Sequence, residues 1–559
     1  MQPAGRGRPH RIAWLEPGRL PHGSGDLNIY SGILFPRAGP KMAALLRSLG
    51  YEVEVISGEN AVIDVDEIAR DFDTACISVL SNTAAHGLVL ARWLHRRGLH
   101  VILGGYQFAH TELTPDSLAP TEEALDFAPY VVRGEGYVSL PQLLAALAGE
   151  RPLSDVGGLS YRDARGVSVH NPPGPLATRD EINALPLQDW STVRGRETMR
   201  VVAVHGMQGC PRECSWCAVW TRDGRQNRNT DAGRLVDELE ASLPHGPFQH
   251  VFFSADNFPV LHTWATAVCE EIVRRGIDIG WTCQGEVGAT QRGELLDLMC
   301  RAGCERWCLG LESINPASLQ GSRKRQSRET MEQAVRELRR RGVCIHGMFI
   351  VGLPHDTPES VRETLAWAQR MGLETVQFLC LIDLPGSSDY ERRNLAQVSF
   401  RPFEGALAPL NWMFVNGHYA RLGNETMSCA DVHDAVAEAM LRFYALPRAI
   451  GPLLGVNWAH YRTCRAHGRG KWASLRAARI NSLFTGILRL RGWLNVRRWL
   501  RLPANQAYRA LLSAAPEQAE ALRERLLAQV PLAWVATLHE VHRERLARRE
   551  RLGQEACSA

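Results

Sequence analysis

The chain has 559 residues, of which 45% are hydrophobic and 22% charged, with a formal net charge of +4. That length permits two or three domains, and so small a charge leaves no basic footprint for nucleic acid. No window approaches the ~18 uninterrupted apolar residues of a spanning helix, and the opening MQPAGRGRPHRIAW lacks the apolar run of a signal peptide, so a cytoplasmic location is expected. Fourteen cysteines are spread along the chain with three in one tight group. This favours thiolate chemistry in a reducing compartment over disulfides.

Residues 1–26, rich in Gly, Pro and Arg, read as a flexible lead-in. From 27 to 150 strands and helices alternate: helix PKMAALLRSLG (40–50), strand YEVEVIS (51–57), strand TACISVLS (74–81), helix AHGLVLARWLHRRG (85–98), then strands HVILGG (100–105) and YVVRGEG (130–136). The alternation predicts an α/β domain, a doubly wound parallel sheet with helices on both faces. Ligands of such sheets sit at the carboxyl ends of strands, where Ser81, Gly104, Gly105 and Gly134 fall. Residues 151–198, with PPGPL at 172–176, read as a linker. From 199 to 401 a second series follows: MRVVAVHG, QHVFFSADN, IDIGWTCQGE, RWCLGLES, VCIHGMFIVGLP and TVQFLCLID. Six strands with intervening helices predict a full or partial (β/α) barrel, whose chemistry sits at the C-terminal strand ends. Residues 402–559 read as a helical C-terminal cap.

The run GCPRECSWC places Cys210, Cys214 and Cys217 just after the apolar strand RVVAV. Most protein-bound [4Fe–4S] clusters take four cysteines; three leave one iron open to chelate a small molecule. A structural zinc site would need four ligands, usually in paired Cys-x2-Cys spacings, and buried cysteines clustered by chance would need none. Cys300, Cys304 and Cys308 recur every four residues, but cysteine is a small buried hydrophobe as often as a ligand.

With these motifs in place, the sequence resembles the radical S-adenosylmethionine (SAM) superfamily. The resemblance implies a [4Fe–4S] cluster on Cys210, Cys214 and Cys217, whose open iron binds the amino and carboxylate groups of SAM. Reductive cleavage of SAM then gives a 5′-deoxyadenosyl radical that abstracts hydrogen from the substrate. The resemblance also assigns SAM contacts: Trp216 before the last cysteine, Asp256 in FFSADNF, Glu312 and Ser313 in GLESIN (followed by Lys324), and Gly352 to Pro354 in HGMFIVGLPHDT. In FLCLIDLPGSSDYE, Asp383 stands where Thr or Pro is commoner.

Upstream, FPRAGPKMAALLRSLGYEVEV, ISVLSNT, VILGGYQFAH and VVRGEGYVSLPQLL resemble the flavodoxin-like cobalamin-binding domain of cobalamin-dependent radical SAM enzymes. This implies cobalamin contacts at Ser81, Gly104, Gly105, Gly134 and Glu135, where strand-end glycines let backbone approach a flat corrin. The Asp-x-His-x-x-Gly of many cobalamin domains, whose His is the lower cobalt ligand, is absent. His86, His110 and His355 read as ordinary loop histidines, so cobalamin would bind without a protein His; the alternative is a domain that keeps the fold and has lost the cofactor. Residues 411–450 are similar to the tail of a subgroup near the hopanoid methylases and the anaerobic cyclase of bacteriochlorophyll synthesis. Residues 471–502 are basic with interleaved Trp, Leu, Ile and Phe. They read as a helical cap with a solvated basic face, or as a segment lying on an anionic membrane.

The family resemblance implies methyl transfer to an unactivated carbon of a lipid or secondary metabolite, with an electron donor such as flavodoxin or ferredoxin. Oxidative cyclisation or rearrangement without methyl transfer is the alternative. A non-catalytic cobalamin or redox sensor is a third, opposed by the intact cysteine motif.

Overall fold

The computed structural model describes residues 10–18, 27, 29, 38–108, 118–392 and 395–558. Its N-terminal sheet holds seven strands: β1 (Arg11–Glu16), β2 (Glu52–Ser57), β3 (Thr74–Ser78), β4 (His100–Gly104), β5 (Tyr130–Val132), β6 (Leu159–Arg162) and β7 (Ser168–His170). Their order is β2-β1-β3-β4-β5-β6-β7; β1 to β5 pair in parallel, and β6 and β7 add antiparallel. The order reverses between β1 and β3, the position at which doubly wound sheets open a crevice for ligands.

Two boundaries differ from the sequence reading. Residues 11–16 are not lead-in but a central strand, with Ile12, Ala13, Trp14 and Leu15 all buried. A strand covered on both faces shows a short apolar run without alternation, and RIAWLE is easily lost beside its Arg- and Gly-rich neighbours. Residues 1–9 and 19–26, His110 and the first three residues of FPRAGPK lie outside the described residues. Nor is 151–198 only a linker. It supplies the β6–β7 hairpin, and it returns to the sheet where Arg194 N donates to Val55 O (2.9 Å).

The second sheet is an open arc of six parallel strands: β8 (Val201–Val204), then β11 (His250–Phe253), β12 (Gly280–Glu286), β13 (Cys304–Glu312), β14 (Cys344–Val351) and β15 (Thr375–Cys380), in chain order across the sheet. The barrel is therefore partial. Between β8 and β11, the short antiparallel pair β9 (Met207–Gln208) and β10 (Arg228–Asn229) brackets the cysteine loop. Amphipathic helices cover the outside. Arg328–Arg340 buries Met331, Ala334, Val335 and Leu338, a spacing that keeps one apolar stripe inward, and Ser327 caps its N-terminus by accepting from Thr330 N.

Residues 402–428 hold the 3-10 helix Gly405–Phe414 and are otherwise turns and irregular chain; the α-helices of the cap begin at Cys429. The 31-residue helix Lys471–Arg501 buries Ser474, Ala478, Asn481, Thr485, Leu488, Gly492 and Val496. It touches the N-terminal ends of the barrel strands, where Thr485 accepts from Arg306 (3.2 Å) and the Cys344 Sγ lies 3.0 Å from Asn481 Oδ1. The last helix, Leu532–Ser558, returns to the N-terminal domain, where Trp93 Nε1 donates to Thr537 Oγ1 (2.8 Å) and Arg92 pairs with Glu540 (2.9 Å).

Candidate active site

Cys210, Cys214 and Cys217 lie on the loop that leaves β9 at the C-terminal end of the barrel. Gly209 permits the turn: its φ is +81°, and a Cβ there would sit 2.3 Å from Gln226 O. Backbone bonds then set the loop, with Cys210 N donating to Gly224 O and Cys217 N to Cys214 O (both 3.1 Å), while Trp220 Nε1 donates to Cys214 O (3.1 Å). All three thiols are free. Burial pushes them up, Cys214 to about 11 and Cys217 to about 12, so a bare thiolate is disfavoured and metal binding would release protons. Among the described residues no three His, Cys, Asp or Glu side chains converge on one ion. Thiolates that each take a different iron of a cubane need not do so, and the donor set fits a cluster with one open iron.

The other motif residues gather around this loop. Strand β13 slips register between Gly310 and Glu312, and such a bulge re-aims the side chain that follows it. Glu312 takes φ +62°, rare for a residue with a Cβ, and its carboxylate meets Lys324 Nζ at 2.9 Å. Gly310 makes room for that pair, since a Cβ there would lie 2.8 Å from Glu312 Oε1 and 3.3 Å from Lys324 Nζ. Lys324 and Glu312 both act on the Cys214 thiol, the ammonium lowering and the carboxylate raising its pKa against the larger effect of burial. Ser313 is buried and accepts from Asn315 N (3.1 Å).

Trp216 packs on a small apolar cluster of Leu353, Leu381, Tyr390, Leu395 and Leu422, so the cysteine loop and the Gly352–Pro354 turn meet. That turn is organised by Asp356, which the sequence reading passed over. Its carboxylate accepts from Gly352 N (3.1 Å), Leu353 N (3.0 Å) and Ser318 Oγ (2.6 Å). Burial nevertheless holds its pKa up at about 6. Glu286, at the end of β12, is the other omission: Arg212 of the cysteine loop grips it through two bonds (2.7 and 2.6 Å), and Asn257 Nδ2 donates to it (3.3 Å). Neither acid belongs to a compact motif, and only the strand-end position of Glu286 could have drawn attention.

Asp256 faces a cavity of about 640 Å3 that runs from the carboxyl edge of the N-terminal sheet into the barrel. One wall carries Ser81, Gly104, Gly105, Gly134 and Glu135; the other carries Asp256, Thr282, Cys308, His346 and Met348. Gly105 has φ +102°, and a Cβ would come within 2.7 Å of Val79 N and O. Gly134 at φ +75° opens onto empty space, and the buried Ser81 Oγ has no partner among the described residues. A flat polar-edged group is thus admitted along this wall. Glu135 lines it too, but its carboxylate is held by Arg228 (2.9 Å) and Ala177 N (2.6 Å), a link from the first domain to the second. Lys41 with Glu238, and Arg222 over the Tyr106 ring, make two more such links at the cavity.

The remaining candidates stand elsewhere. His86 Nδ1 bonds Gly18 O (2.8 Å) against Trp534, and His355 is exposed. Neither lines the cavity. Asp383 is buried against Arg421 at 3.0 Å, both 2% exposed, which accounts for an acid at that position. Of the three regularly spaced cysteines, Cys304 and Cys308 are buried on β13 and Cys300 lies on the preceding helix.

The sequence model of the radical SAM superfamily matches residues 204–368. An uncharacterized methyltransferase of Pyrococcus horikoshii is 24% identical over 73% of this chain and 87% of its own length. The anaerobic magnesium-protoporphyrin IX monomethyl ester cyclase of Rubrivivax gelatinosus is 29% identical over 44% of this chain, and the hopanoid C-3 methylase of Methylococcus capsulatus 26% over 49%. The matched region spans about half the length of these last two, 46% and 52%. Among solved structures, the radical SAM methyltransferase TsrM of Kitasatospora setae, with cobalamin and a [4Fe–4S] cluster bound, superposes with a TM-score of 0.61 at 18% identity, over 86% of this chain and 99% of that one. The cobalamin-dependent radical SAM enzyme OxsB superposes at 0.54 and 13%, over 96% and 80%. At such identities the likeness is one of fold. The three cysteines on the barrel loop and the motif residues gathered around them fall within residues 204–368, the stretch that matches the radical SAM superfamily, and the chain shares the two-domain fold of the cobalamin-dependent enzymes TsrM and OxsB.

Proposed function

We propose that the chain is a cobalamin-dependent radical SAM methyltransferase that adds a methyl group to an unactivated carbon of a lipid or other small molecule. The observation that carries this reading is the single cavity joining the strand ends of the N-terminal sheet to the interior of the barrel. A methyl carrier on one wall and a hydrogen-abstracting group at the barrel mouth would then face the same substrate. When bound, the cluster, SAM and cobalamin supply the one-electron and methyl-carrying chemistry.

The chain's own residues bind, orient and exclude water. Cys210, Cys214 and Cys217 would hold three irons. Trp216 and Leu353 form an apolar wall against which an adenine can pack, while Asp356 fixes the Gly352–Pro354 backbone and Lys324 holds Glu312 at the bulge. Ser81, Gly104, Gly105 and Gly134 would cradle cobalamin. A donor such as flavodoxin or ferredoxin would approach through the outer groove where Cys214 lies beside Arg212, Arg323 and Arg325.

Oxidative cyclisation remains the second reading, favoured by the similarity to the anaerobic cyclase. SAM carrying a deuterated methyl group separates the two. Methyl transfer gives a product heavier by one labelled methyl; an unlabelled product that has lost hydrogen would assign cyclisation instead.

A further inference from the structure

We propose that the outer face of the helices Leu446–Leu454 and Lys471–Arg501 docks this protein on an anionic lipid bilayer. The inference does not depend on the reaction proposed above. Between Glu438 and Glu517 the sequence contains fourteen basic residues and no acidic one, so the region is strongly cationic in a chain whose net charge is only +4. The two helices pack on each other where Gly486 closes on Leu453, and the longer one turns its small and polar side chains towards the barrel. Their other sides expose apolar residues, with Lys471, Arg476, Arg498 and Arg501 of the longer helix exposed among them.

Leu446, Ile450 and Leu454 are exposed at intervals of four, and Ile480, Leu483, Ile487 and Leu494 recur at helical spacing. Trp458 and Trp472 stand out beside them, Trp472 being 76% and Leu454 78% exposed. An apolar face with tryptophan at its margin and cations around it is the chemistry of an interfacial helix. No helix among the described residues is long and apolar enough to cross a membrane.

A groove of about 850 Å3 adjoins this face and carries Arg336, Arg339, Arg340, Arg370, Arg448 and Arg489. Glu374 is the acid within it; Arg336 and Arg340 also meet Glu332 and Glu337 on their own helix. Arg489 is engaged by the carbonyls of Leu373, Glu374 and Arg448, and Arg339 by Met371 O and Glu374; Arg336, Arg340, Arg370 and Arg448, from three elements, are the guanidiniums that suit phosphate-bearing headgroups. A second copy fits less well, because it would bring two cationic faces together. From its inward side the helix Lys471–Arg501 also presents Phe484 to the cavity.

Co-sedimentation of the full-length chain with vesicles tests this, comparing phosphatidylcholine alone with vesicles in which a third of the lipid is phosphatidylglycerol. The chain should pellet with the anionic vesicles only and be released by salt. Leu454→Ser with Trp472→Ser should weaken binding about tenfold or more. Separately, Arg336→Gln, Arg340→Gln and Arg370→Gln should weaken it by up to about fivefold per charge and flatten the salt dependence. These positions are on the surface, so the unfolding midpoint should hold, and if the apolar pair misfolds the arginine variants still decide. A chain that stays in the supernatant, or that binds both vesicles alike without regard to salt, would overturn the proposal. So would a dimer in analytical ultracentrifugation that the apolar pair dissolves, since the face would then belong to a second copy.

Discussion

Single residues carry the cluster and shape its surroundings. Each of Cys210→Ala, Cys214→Ala and Cys217→Ala should abolish the cluster in anaerobically reconstituted protein, measured as iron content and visible absorbance; a triple variant that kept its iron and still cleaved SAM would refute the assignment. Gly310→Ala is a finer probe. Its new Cβ would press on Glu312 and Lys324, so iron content should stay normal while SAM cleavage falls about 10- to 100-fold, the effect of displacing a positioning group by a fraction of an ångström to an ångström. Equal loss of iron and cleavage would show that the pair supports the loop and not the cosubstrate.

At the scale of elements, the strands and the cysteine loop were legible in the sequence because their signals are local. An apolar run ending in Gly, or three cysteines within eight positions, needs no knowledge of the rest of the chain. β1 escaped because burial on both faces removes the alternation that marks a strand. Asp356 and Glu286 escaped because their roles lie in partners far along the chain, Ser318 and Arg212. The bulge at Glu312 cannot be read from GLESIN, since it arises from register against β14. Asp383 shows the same limit: as a sequence feature it was a departure, and as a structural one it is half of a buried ion pair. Arg421→Met should therefore destabilise the fold by about 3–5 kcal/mol, because it strands a buried carboxylate. Replacing both partners together, Asp383→Leu with Arg421→Met, should recover much of that loss. The chemical unfolding midpoint reads both, and a double variant as unstable as the single one would mean that the pair does more than balance charge.

Across the whole molecule, burial leaves four imidazoles neutral: His250 and His346 fall to about 3, His433 and His460 to about 4. In the unfolded chain each takes a proton near pH ~6.5. Below that value the unfolded state binds protons the folded state does not, so stability is full above it and is lost as pH falls towards 4, by up to about 1.4 kcal/mol per pH unit for each group. The thermal midpoint should drop steeply between pH 6.5 and 4.5, and a flat profile would contradict their burial.

The two domains meet at one cavity, held by Glu135–Arg228 and Lys41–Glu238. The wall formed by the N-terminal sheet carries no histidine, and His205, His250 and His346 line the cavity only from the barrel side, so cob(II)alamin held on that first wall should show no nitrogen superhyperfine splitting from a protein imidazole in its electron paramagnetic resonance spectrum. Such splitting would place a histidine on the cobalt.

The most direct test of methyl transfer across that cavity is product stoichiometry with the true substrate. If the carrier wall and the radical site serve one substrate, each turnover consumes two molecules of SAM, giving S-adenosylhomocysteine and 5′-deoxyadenosine in equal amounts and a product with one added methyl. 5′-Deoxyadenosine formed without S-adenosylhomocysteine, and a product of unchanged methyl count, would contradict it.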